Sequence, residues 1–254
     1  MSPQALAGWT VICLRPARQQ ASARRATQAR GGQHLSLPGL RLAALPATSA
    51  LAQALACANV VFTSPAAVHF AAQQHALRLA PGTQAVAVGE GSARALARHG
   101  IQAHRPAADA MHSEGVLDLP LWQQARGPVG LVTAPGGRGI IAAGLVRRGF
   151  KLVRAEVYQR LPPRLDTRHF TALRQSRPPR AVLVTSAEAL DAVIMALTPD
   201  TFEVLRASVA VVSSPRLAHL ARSHGFATVL TAPDPTIAAL LDTLAQYVAT
   251  TRFR

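Results

Sequence analysis

Two pairs of adjacent hydroxyl residues stand out as groups that could bind an anion. Thr63-Ser64 and Thr185-Ser186 each follow a short apolar run and precede a helical pattern. A serine in this position caps a helix, and the free N–H groups of the first helical turn attract negative charge. Turns at 89–92 and 135–139 contain glycine, which lets a ligand approach the backbone closely. These turns predict recognition of carboxylates or other anions.

Other kinds of active site find little support in the sequence. Ser64 is not in a Gly-x-Ser-x-Gly elbow, and neither glycine turn matches a dinucleotide fingerprint or a P-loop. The nine histidines and two cysteines lack the spacing of metal ligands. The carboxylates are sparse, and no pair of them is suitably spaced for acid–base chemistry. We therefore expect neither a metal site nor a nucleotide site.

Short apolar runs alternate with helical patterns along the chain, which indicates parallel sheets flanked by helices. The predicted strands are 11–14, 34–37, 60–63, 84–88, 129–133, 151–158, 181–185, 209–212 and 228–230. The predicted helices include 19–29, 65–74, 91–99, 137–148, 187–197, 216–224 and 235–248. The hydroxyl and glycine turns would then lie at the carboxyl edge of the sheets, where open α/β sheets bind ligands.

The sequence also repeats itself at a distance of about 120 residues. The stretch 60–68 resembles 181–190, 86–100 resembles 209–225, and 11–16 resembles 130–135. A period this long indicates a duplicated half-domain rather than a solenoid of short repeats. The predicted fold class is α/β, with two similar lobes, each a parallel sheet flanked by helices, and a ligand cleft between them.

The charge balance is strongly basic, with 27 basic residues against 12 acidic ones among 254 and a formal net charge of +15. Lys151 is the only lysine. Three explanations of the arginine excess stay open: codon usage in a GC-rich genome, an anionic small ligand, and nucleic acid. A nucleic-acid surface would interleave aromatic and basic residues, and the eleven aromatic side chains do not have that arrangement.

Targeting signals and cysteine usage point to the cytoplasm. No apolar run approaches the ~20 residues that span a bilayer, and residues 1–10 lack the features of a signal peptide. Cys13 and Cys57 are too few and too far apart for a metal knuckle, and Cys13 has the sequence context of a small buried thiol. We expect a cytoplasmic protein with no membrane partner.

An ordered set of short motifs resembles the uroporphyrinogen-III synthase family. The motifs are Arg15-Pro16, Pro38, Phe62-Thr63-Ser64-Pro65-Ala66-Ala67-Val68, Val88-Gly89 with Ser92-Ala93 and Leu96, Ser113-Glu114-Gly115, Gly137-Arg138, Val157-Tyr158-Gln159-Arg160 and Thr185-Ser186. Each motif is weak alone, and their order and spacing over 11–244 carry the resemblance. It implies a cofactor-free enzyme of tetrapyrrole biosynthesis that cyclises hydroxymethylbilane to uroporphyrinogen III, with inversion of the last pyrrole ring.

The resemblance also implies a domain organisation of two α/β lobes joined by a two-stranded linker. The terminal lobe would comprise 1–37 with 162–254, and the central lobe would comprise 38–161. Pro38 and the Leu161-Pro162-Pro163 run are suitable crossing points, because prolines stiffen linkers. The expected protein is a monomer whose partner is a small polycarboxylate substrate, and not nucleic acid.

Tyr158 is the side chain expected to be catalytic, because a phenol can assist departure of the substrate hydroxyl. The alternative is an ordinary tyrosine at a strand end with its ring in the core. Hydroxymethylbilane carries eight carboxylates, which suit a basic protein with backbone donors. The expected substrate-binding residues are Arg15, Thr63, Ser64, Gly89, Ser92, Ser113, Gly137, Arg138, Thr185, Ser186, Ser214 and Arg216.

One turn departs from the family pattern. Where the family usually has Gly-Pro-x-Thr-Ala, this chain has Ser214-Pro215-Arg216-Leu217-Ala218, so the expected hydroxyl is replaced by Leu217. Backbone N–H groups and Arg216 could still serve an anion there. Two other functions stay open: a tetrapyrrole-binding relative without activity, and a basic two-lobed protein that binds nucleic acid or another anion.

Overall fold

The computed structural model describes residues 4–107, 113–136 and 139–251. The chain divides into two compact units: unit 1 is Met1–Arg41 with Leu161–Arg254, and unit 2 is Leu42–Arg160. Unit 1 is therefore discontinuous in sequence, and unit 2 is the middle of the chain.

The described strands are β1 (Thr10–Cys13), β2 (Gln33–Ser36), β3 (Arg41–Ala44), β4 (Asn59–Phe62), β5 (Gln84–Ala87), β6 (Val129–Thr133), β7 (Leu152–Glu156), β8 (Tyr158–Leu161), β9 (Arg180–Val184), β10 (Val209–Val212) and β11 (Val229–Thr231). The described helices are α1 (Ala17–Gln28), α2 (Thr48–Leu55), α3 (Pro65–Gln74), α4 (Glu90–Ala97), α5 (Ser113–Leu117), α6 (Leu121–Gln124), α7 (Ile140–Arg147), α8 (Thr167–Gln175), α9 (Ala187–Ala196), α10 (Pro199–Arg206), α11 (Pro215–Ser223) and α12 (Ile237–Thr251). Within these ranges, no helix is long and apolar enough to cross a membrane.

Unit 1 is built on a parallel sheet with strand order β11-β10-β9-β1-β2. Side chains of its strands alternate between two apolar layers, because successive residues of a strand point to opposite faces. Ile12 and Val182 pack into one layer, and Val11 and Leu183 pack into the other. The sheet is therefore covered on both faces, as the apolar strand sequences predict.

Unit 2 has a smaller parallel sheet with strand order β5-β4-β6-β7. Phe62 and Val132 face one apolar layer, while Val61 and Leu131 face the other. Helix α2 lies very close to β6 at Gly130, where a Cβ atom would stand 2.1 Å from the carbonyl oxygen of Ala54. Only glycine permits this contact, and it fixes how α2 covers the sheet.

The repeat in the sequence is a repeat of topology. Strands β5, β4, β6 and β7 of unit 2 have the same spatial order as β10, β9, β1 and β2 of unit 1. The similar stretches 60–68 and 181–190 are β4 with the start of α3 and β9 with the start of α9. The predicted α/β fold with two similar parallel sheets is confirmed, and β11 is the additional strand of unit 1.

The prediction of a single strand over 151–158 is wrong. This stretch contains β7, which belongs to the unit 2 sheet, and the first residue of β8, which pairs with β3 in a separate two-stranded sheet. The N–H of Val157 donates to the carbonyl oxygen of Thr133 at 3.0 Å, which extends the pairing of β6 with β7. The carbonyl oxygen of Val157 accepts from the N–H of Leu45 at 3.0 Å, just beyond the two-stranded sheet of β3 and β8. Val157 is thus the residue at which the backbone changes sheets, and Tyr158 is the next residue.

Candidate anion-binding and catalytic site

The turn between β4 and α3 holds its serine as a helix cap. Ser64 has extended backbone dihedrals, and its Oγ accepts from the N–H of Ala67 at 3.0 Å. Pro65 occupies the first position of the helix, where a missing N–H costs nothing. The helix therefore begins directly at the carboxyl edge of the unit 2 sheet, as predicted.

The side chain of Tyr158 contacts the serine that caps α3. Its hydroxyl oxygen lies 3.1 Å from Ser64 Oγ, within hydrogen-bonding distance. The ring is buried, with 3% of the residue exposed, and it stacks on Phe70 at a centroid distance of 5.4 Å. The guanidinium of Arg160 lies 5.8 Å from the ring centroid. Tyr158 has its ring in the core, as the structural alternative predicts, and its hydroxyl lies at the serine turn. Its catalytic role stays a prediction.

The position of Tyr158 depends on a polar clamp at Val157. Gln74, at the end of α3, donates from Nε2 to the carbonyl oxygen of Val157 at 3.0 Å. The Oε1 atom of the same side chain accepts from the N–H of Ala47 at 2.8 Å. This clamp ties the strand that carries Tyr158 to the helix that Ser64 caps, and nothing in the local sequence of Gln74 signals it.

A second pair of hydroxyls lies next to the Ser64 turn. Thr63 Oγ1 is 3.0 Å from Thr133 Oγ1, and it is also 3.3 Å from the carbonyl oxygen of Val132. Thr133 was not among the predicted site residues. The available signal was that Thr133 ends a predicted strand, as Thr63 does.

The structure explains one glycine of the turn after β5 by packing, whereas the sequence predicted close approach of a ligand. Gly89 caps α4 in an extended conformation that any residue can adopt. Gly91 is the constrained position, since a Cβ atom there would lie 3.1 Å from Cγ of Pro65. Ser92 is buried, with 3% exposed, and Ser113 begins α5. A ligand-binding role of Gly89, Ser92 and Ser113 stays a prediction.

The predicted residues Gly137 and Arg138 lie outside the described residues. On either side of them, Gly136 and Gly139 have φ angles of +75° and +64°. Both angles are in the left-handed region that favours glycine. The backbone conformation therefore explains why glycine occurs at positions 136 and 139 of this turn.

Unit 1 contains two similar serine caps. Ser186 Oγ accepts from the N–H of Ala189 at 3.3 Å, and Ser214 Oγ accepts from the N–H of Leu217 at 3.4 Å. Thr185 precedes the first cap and is partly buried, while Arg216 is exposed. Leu217 is 3% exposed and packs in the apolar core, so the residue that replaces the family's hydroxyl is a core residue here.

Arg15 follows β1 and is held within unit 1. Its guanidinium donates to the carbonyl oxygen of Pro235, and burial lowers the pKa of Arg15 below its ordinary value. Gln20 donates from Nε2 to the carbonyl oxygens of Arg15 and Cys13, at 2.5 and 3.1 Å. Burial raises the pKa of the Cys13 thiol, so Cys13 stays protonated at neutral pH. Arg15 is a positioned cation, and Cys13 is a buried core residue as expected.

A larger cavity of about 810 Å³ lies away from the predicted site. Pro128 and Lys151 line it, immediately before β6 and β7, so it is at the amino edge of the unit 2 sheet. Ligands of open α/β sheets bind at the carboxyl edge, where the capped helices begin. The turns therefore stay the candidate functional site, and the larger cavity is not part of it.

These features define a class of protein before any comparison. It has two α/β units, each with a parallel sheet. Capped helix termini and hydroxyls lie at the edges of these sheets, and a phenol lies at one cap. Within the described ranges, no group of three or more His, Cys, Asp or Glu side chains could hold a metal ion. Such a site suits binding of anions and transfer of a single proton.

Comparisons with known proteins identify the family. The family model described as uroporphyrinogen-III synthase HemD matches residues 21–242, and the chain belongs to this family. Uroporphyrinogen-III synthase of Salmonella typhimurium is 33% identical over 160 residues, which cover 61% of this chain and 64% of that protein. The chain thus spans somewhat less than two thirds of the curated relative that it matches.

Solved structures agree in fold. The uroporphyrinogen-III synthetase of Helicobacter pylori matches with a TM-score of 0.64 at 16% identity, over 94% of this chain and 99% of that one. A mutant uroporphyrinogen III synthase of Thermus thermophilus matches with a TM-score of 0.59 at 18% identity, over 96% and 100%. At these identities the likeness supports the fold alone.

Proposed function

We propose that this protein is a uroporphyrinogen-III synthase, which cyclises hydroxymethylbilane to uroporphyrinogen III with inversion of ring D and loss of water. The observation that carries the proposal is the contact of Tyr158 with the Ser64 cap, in a chain that belongs to this family. This contact supports the proposal because a proton-bearing phenol lies at the sheet edge whose turns are predicted to bind anions. The phenol could donate the proton that the reaction needs, which favours an enzyme over a tetrapyrrole-binding relative without activity.

The substrate is proposed to be held by its carboxylates. The proposed contacts are Arg15, Thr63, Ser64, Gly89, Ser92, Ser113, Gly137, Arg138, Thr185, Ser186, Ser214 and Arg216. The serine caps of α3, α9 and α11 support this, because each sits where a helix begins and where anions are favoured. The net charge of +15 attracts a polycarboxylate over longer distances.

The proposed chemical step begins with departure of the substrate hydroxyl. Ser64 Oγ already accepts from the N–H of Ala67, so its own proton can be donated to the Tyr158 oxygen. The phenolic proton of Tyr158 is then directed away from Ser64 and towards the leaving hydroxyl, which departs as water. The lone pair of the pyrrole nitrogen replaces the broken C–O bond and leaves a cationic azafulvene that is still protonated on nitrogen.

The remaining steps need positioning more than functional groups. The substituted carbon of ring D bonds to the azafulvene carbon and forms a spiro species, which fragments and recloses with ring D inverted. Loss of a ring proton restores the pyrrole and balances the proton used for water. The protein contributes by holding the chain curled so that this carbon is nearest, which is catalysis by proximity and orientation.

Isomer analysis tests the proposal. The protein is incubated without oxygen with hydroxymethylbilane, and the products are oxidised and separated into type I and type III isomers. Because the substrate closes unaided to type I, we expect type III to form only with the protein present. If type I alone forms while uroporphyrinogen III still binds, the protein is a tetrapyrrole-binding relative instead.

We further propose that the protein works without a cofactor, as a cytoplasmic monomer that does not bind nucleic acid. Support for a reducing compartment comes from Cys13 and Cys57, which are both buried free thiols. We also propose that the terminal and central lobes of the resemblance, 1–37 with 162–254 and 38–161, act as two domains.

A further inference from the structure

A small cavity at the carboxyl end of β6, within unit 2, has a volume of about 180 Å³. Its polar lining comes from three hydroxyl residues and two arginines: Thr63, Ser113, Thr133, Arg154 and Arg160. No aspartate or glutamate is among the described residues that line it. Two guanidiniums and three hydroxyls around one cavity are groups that bind an oxyanion.

Each of the two arginines contacts a protein group near the cavity. The closest Arg154 nitrogen, Nη2, lies 3.5 Å from Oε1 of Glu156, and both side chains are about half exposed. Arg160 donates from Nη1 to the carbonyl oxygen of Pro135 at a long distance of 3.4 Å. Each guanidinium has five N–H donors, so both can also bind an incoming anion.

The hydroxyls of the cavity can turn towards a ligand. Thr133 Oγ1 is 3.4 Å from the carbonyl oxygen of Ala134, which is a weak contact for a hydroxyl. Thr63 Oγ1 donates to Thr133 Oγ1 at 3.0 Å, a bond between two neutral hydroxyls. A carboxylate oxygen is a better acceptor than these partners, and hydroxyl protons rotate freely.

We propose that this cavity is a pocket for one carboxylate-bearing side chain of the substrate, with Arg154 and Arg160 as its charged partners. This inference rests on the proposed function, which supplies a ligand with several such side chains. A carboxymethyl or carboxyethyl chain has only four or five non-hydrogen atoms and fits the cavity. Arg160 lines the cavity and also lies 5.8 Å from the Tyr158 ring centroid, so a side chain anchored there would limit which part of the substrate lies at the phenol.

The test compares the two members of the ion pair on the cavity rim. Affinity for uroporphyrinogen III is measured by equilibrium dialysis without oxygen for the native protein, Arg154→Gln and Glu156→Gln. We expect Arg154→Gln to weaken binding about fivefold, the upper end for a half-exposed ion pair. Glu156→Gln should bind at least as tightly as the native protein, because it removes only a competing negative charge. Arg147→Gln is the matched control on the exposed part of α7.

A purely structural role would give a different pattern. If the ion pair only held β7 in place, both substitutions would weaken binding equally, and that result would overturn the proposal. Unchanged affinity in Arg154→Gln would overturn it as well. Because binding is measured without turnover, these outcomes are distinct from a failure to form the type III isomer, which would count against the proposed function.

Coproporphyrinogen III identifies the kind of side chain, since it has methyl groups where uroporphyrinogen III has carboxymethyl groups. If the fivefold loss in Arg154→Gln disappears with this ligand, the pocket holds a carboxymethyl chain. If the loss persists, the pocket holds a carboxyethyl chain. Either result supports the pocket.

Discussion

The turn after β4 and the turn after β9 have nearly the same sequence, and they differ in what meets the capping serine. In unit 2, Ser64 caps α3 and its hydroxyl contacts Tyr158 at 3.1 Å. In unit 1, Ser186 caps α9 in the same way at 3.3 Å. Within the described part of the chain, Ser186 Oγ has only the N–H of Ala189 as a hydrogen-bond partner.

This difference separates two functions of a duplicated element. Both copies supply a helix terminus that favours an anion, so both suit the binding of carboxylates. Only the copy in unit 2 has a phenol, which β8 brings to the cap after the backbone changes sheets at Val157. Unit 1 is therefore expected to contribute binding, and unit 2 is expected to contribute binding and proton transfer.

Removal of the phenol should have the largest effect. We expect Tyr158→Phe to lower the rate of type III formation about 10²-fold, the low end for a positioned general acid. Affinity for uroporphyrinogen III should barely change, because the ring still stacks on Phe70. Single-turnover rates and equilibrium dialysis measure the two quantities. A fully active variant would leave geometry alone to explain the rate, and the two turns would then be chemically equivalent.

Removal of each capping hydroxyl should also distinguish the two turns, with a smaller effect on the rate of type III formation than removal of the phenol. Ser64→Ala and Ser186→Ala each lose a helix cap, so each should lower the free energy of unfolding by about 1 kcal/mol. Only Ser64→Ala should also slow type III formation, by about tenfold, the cost of one hydrogen bond to the acid. Denaturant titration and isomer analysis provide the readouts. Equal rates in both variants would argue against a special role for the turn of unit 2.

The sequence predicted the sheets better than the connection that positions the phenol. The predicted bounds of α3 and β6 agree with the structure, because each is a clear apolar pattern with a turn signal beside it. Helix α8 was not identified, since Leu173 is its only buried residue and most of its side chains are polar. These apolar patterns and turn residues are local signals, so they predict single helices and strands but not the contacts between them.

The break between β7 and β8 at Val157 could not be predicted, because it depends on long-range contacts and not on a local pattern. Residues 151–158 form one continuous strand-like run, and the change of sheet depends on partners far away in the chain. Gln74, which clamps the Val157 carbonyl, is 83 residues distant. The catalytic role of Tyr158 therefore stays a prediction, and its contact with Ser64 required the tertiary structure. The same holds for Arg154 and Arg160, whose shared cavity has no local signature.

The most direct test of the account is a double-substitution cycle for type III formation with Tyr158→Phe and Ser64→Ala. If Ser64 affects the rate only by orienting the phenol, the double variant should be no slower than Tyr158→Phe alone. In the parallel cycle, Ser186→Ala should leave the rate unchanged both in the native protein and in Tyr158→Phe. If the losses from Tyr158→Phe and Ser64→Ala multiply in full, the two hydroxyls do not act as a unit, and the proposed difference between the two turns is contradicted.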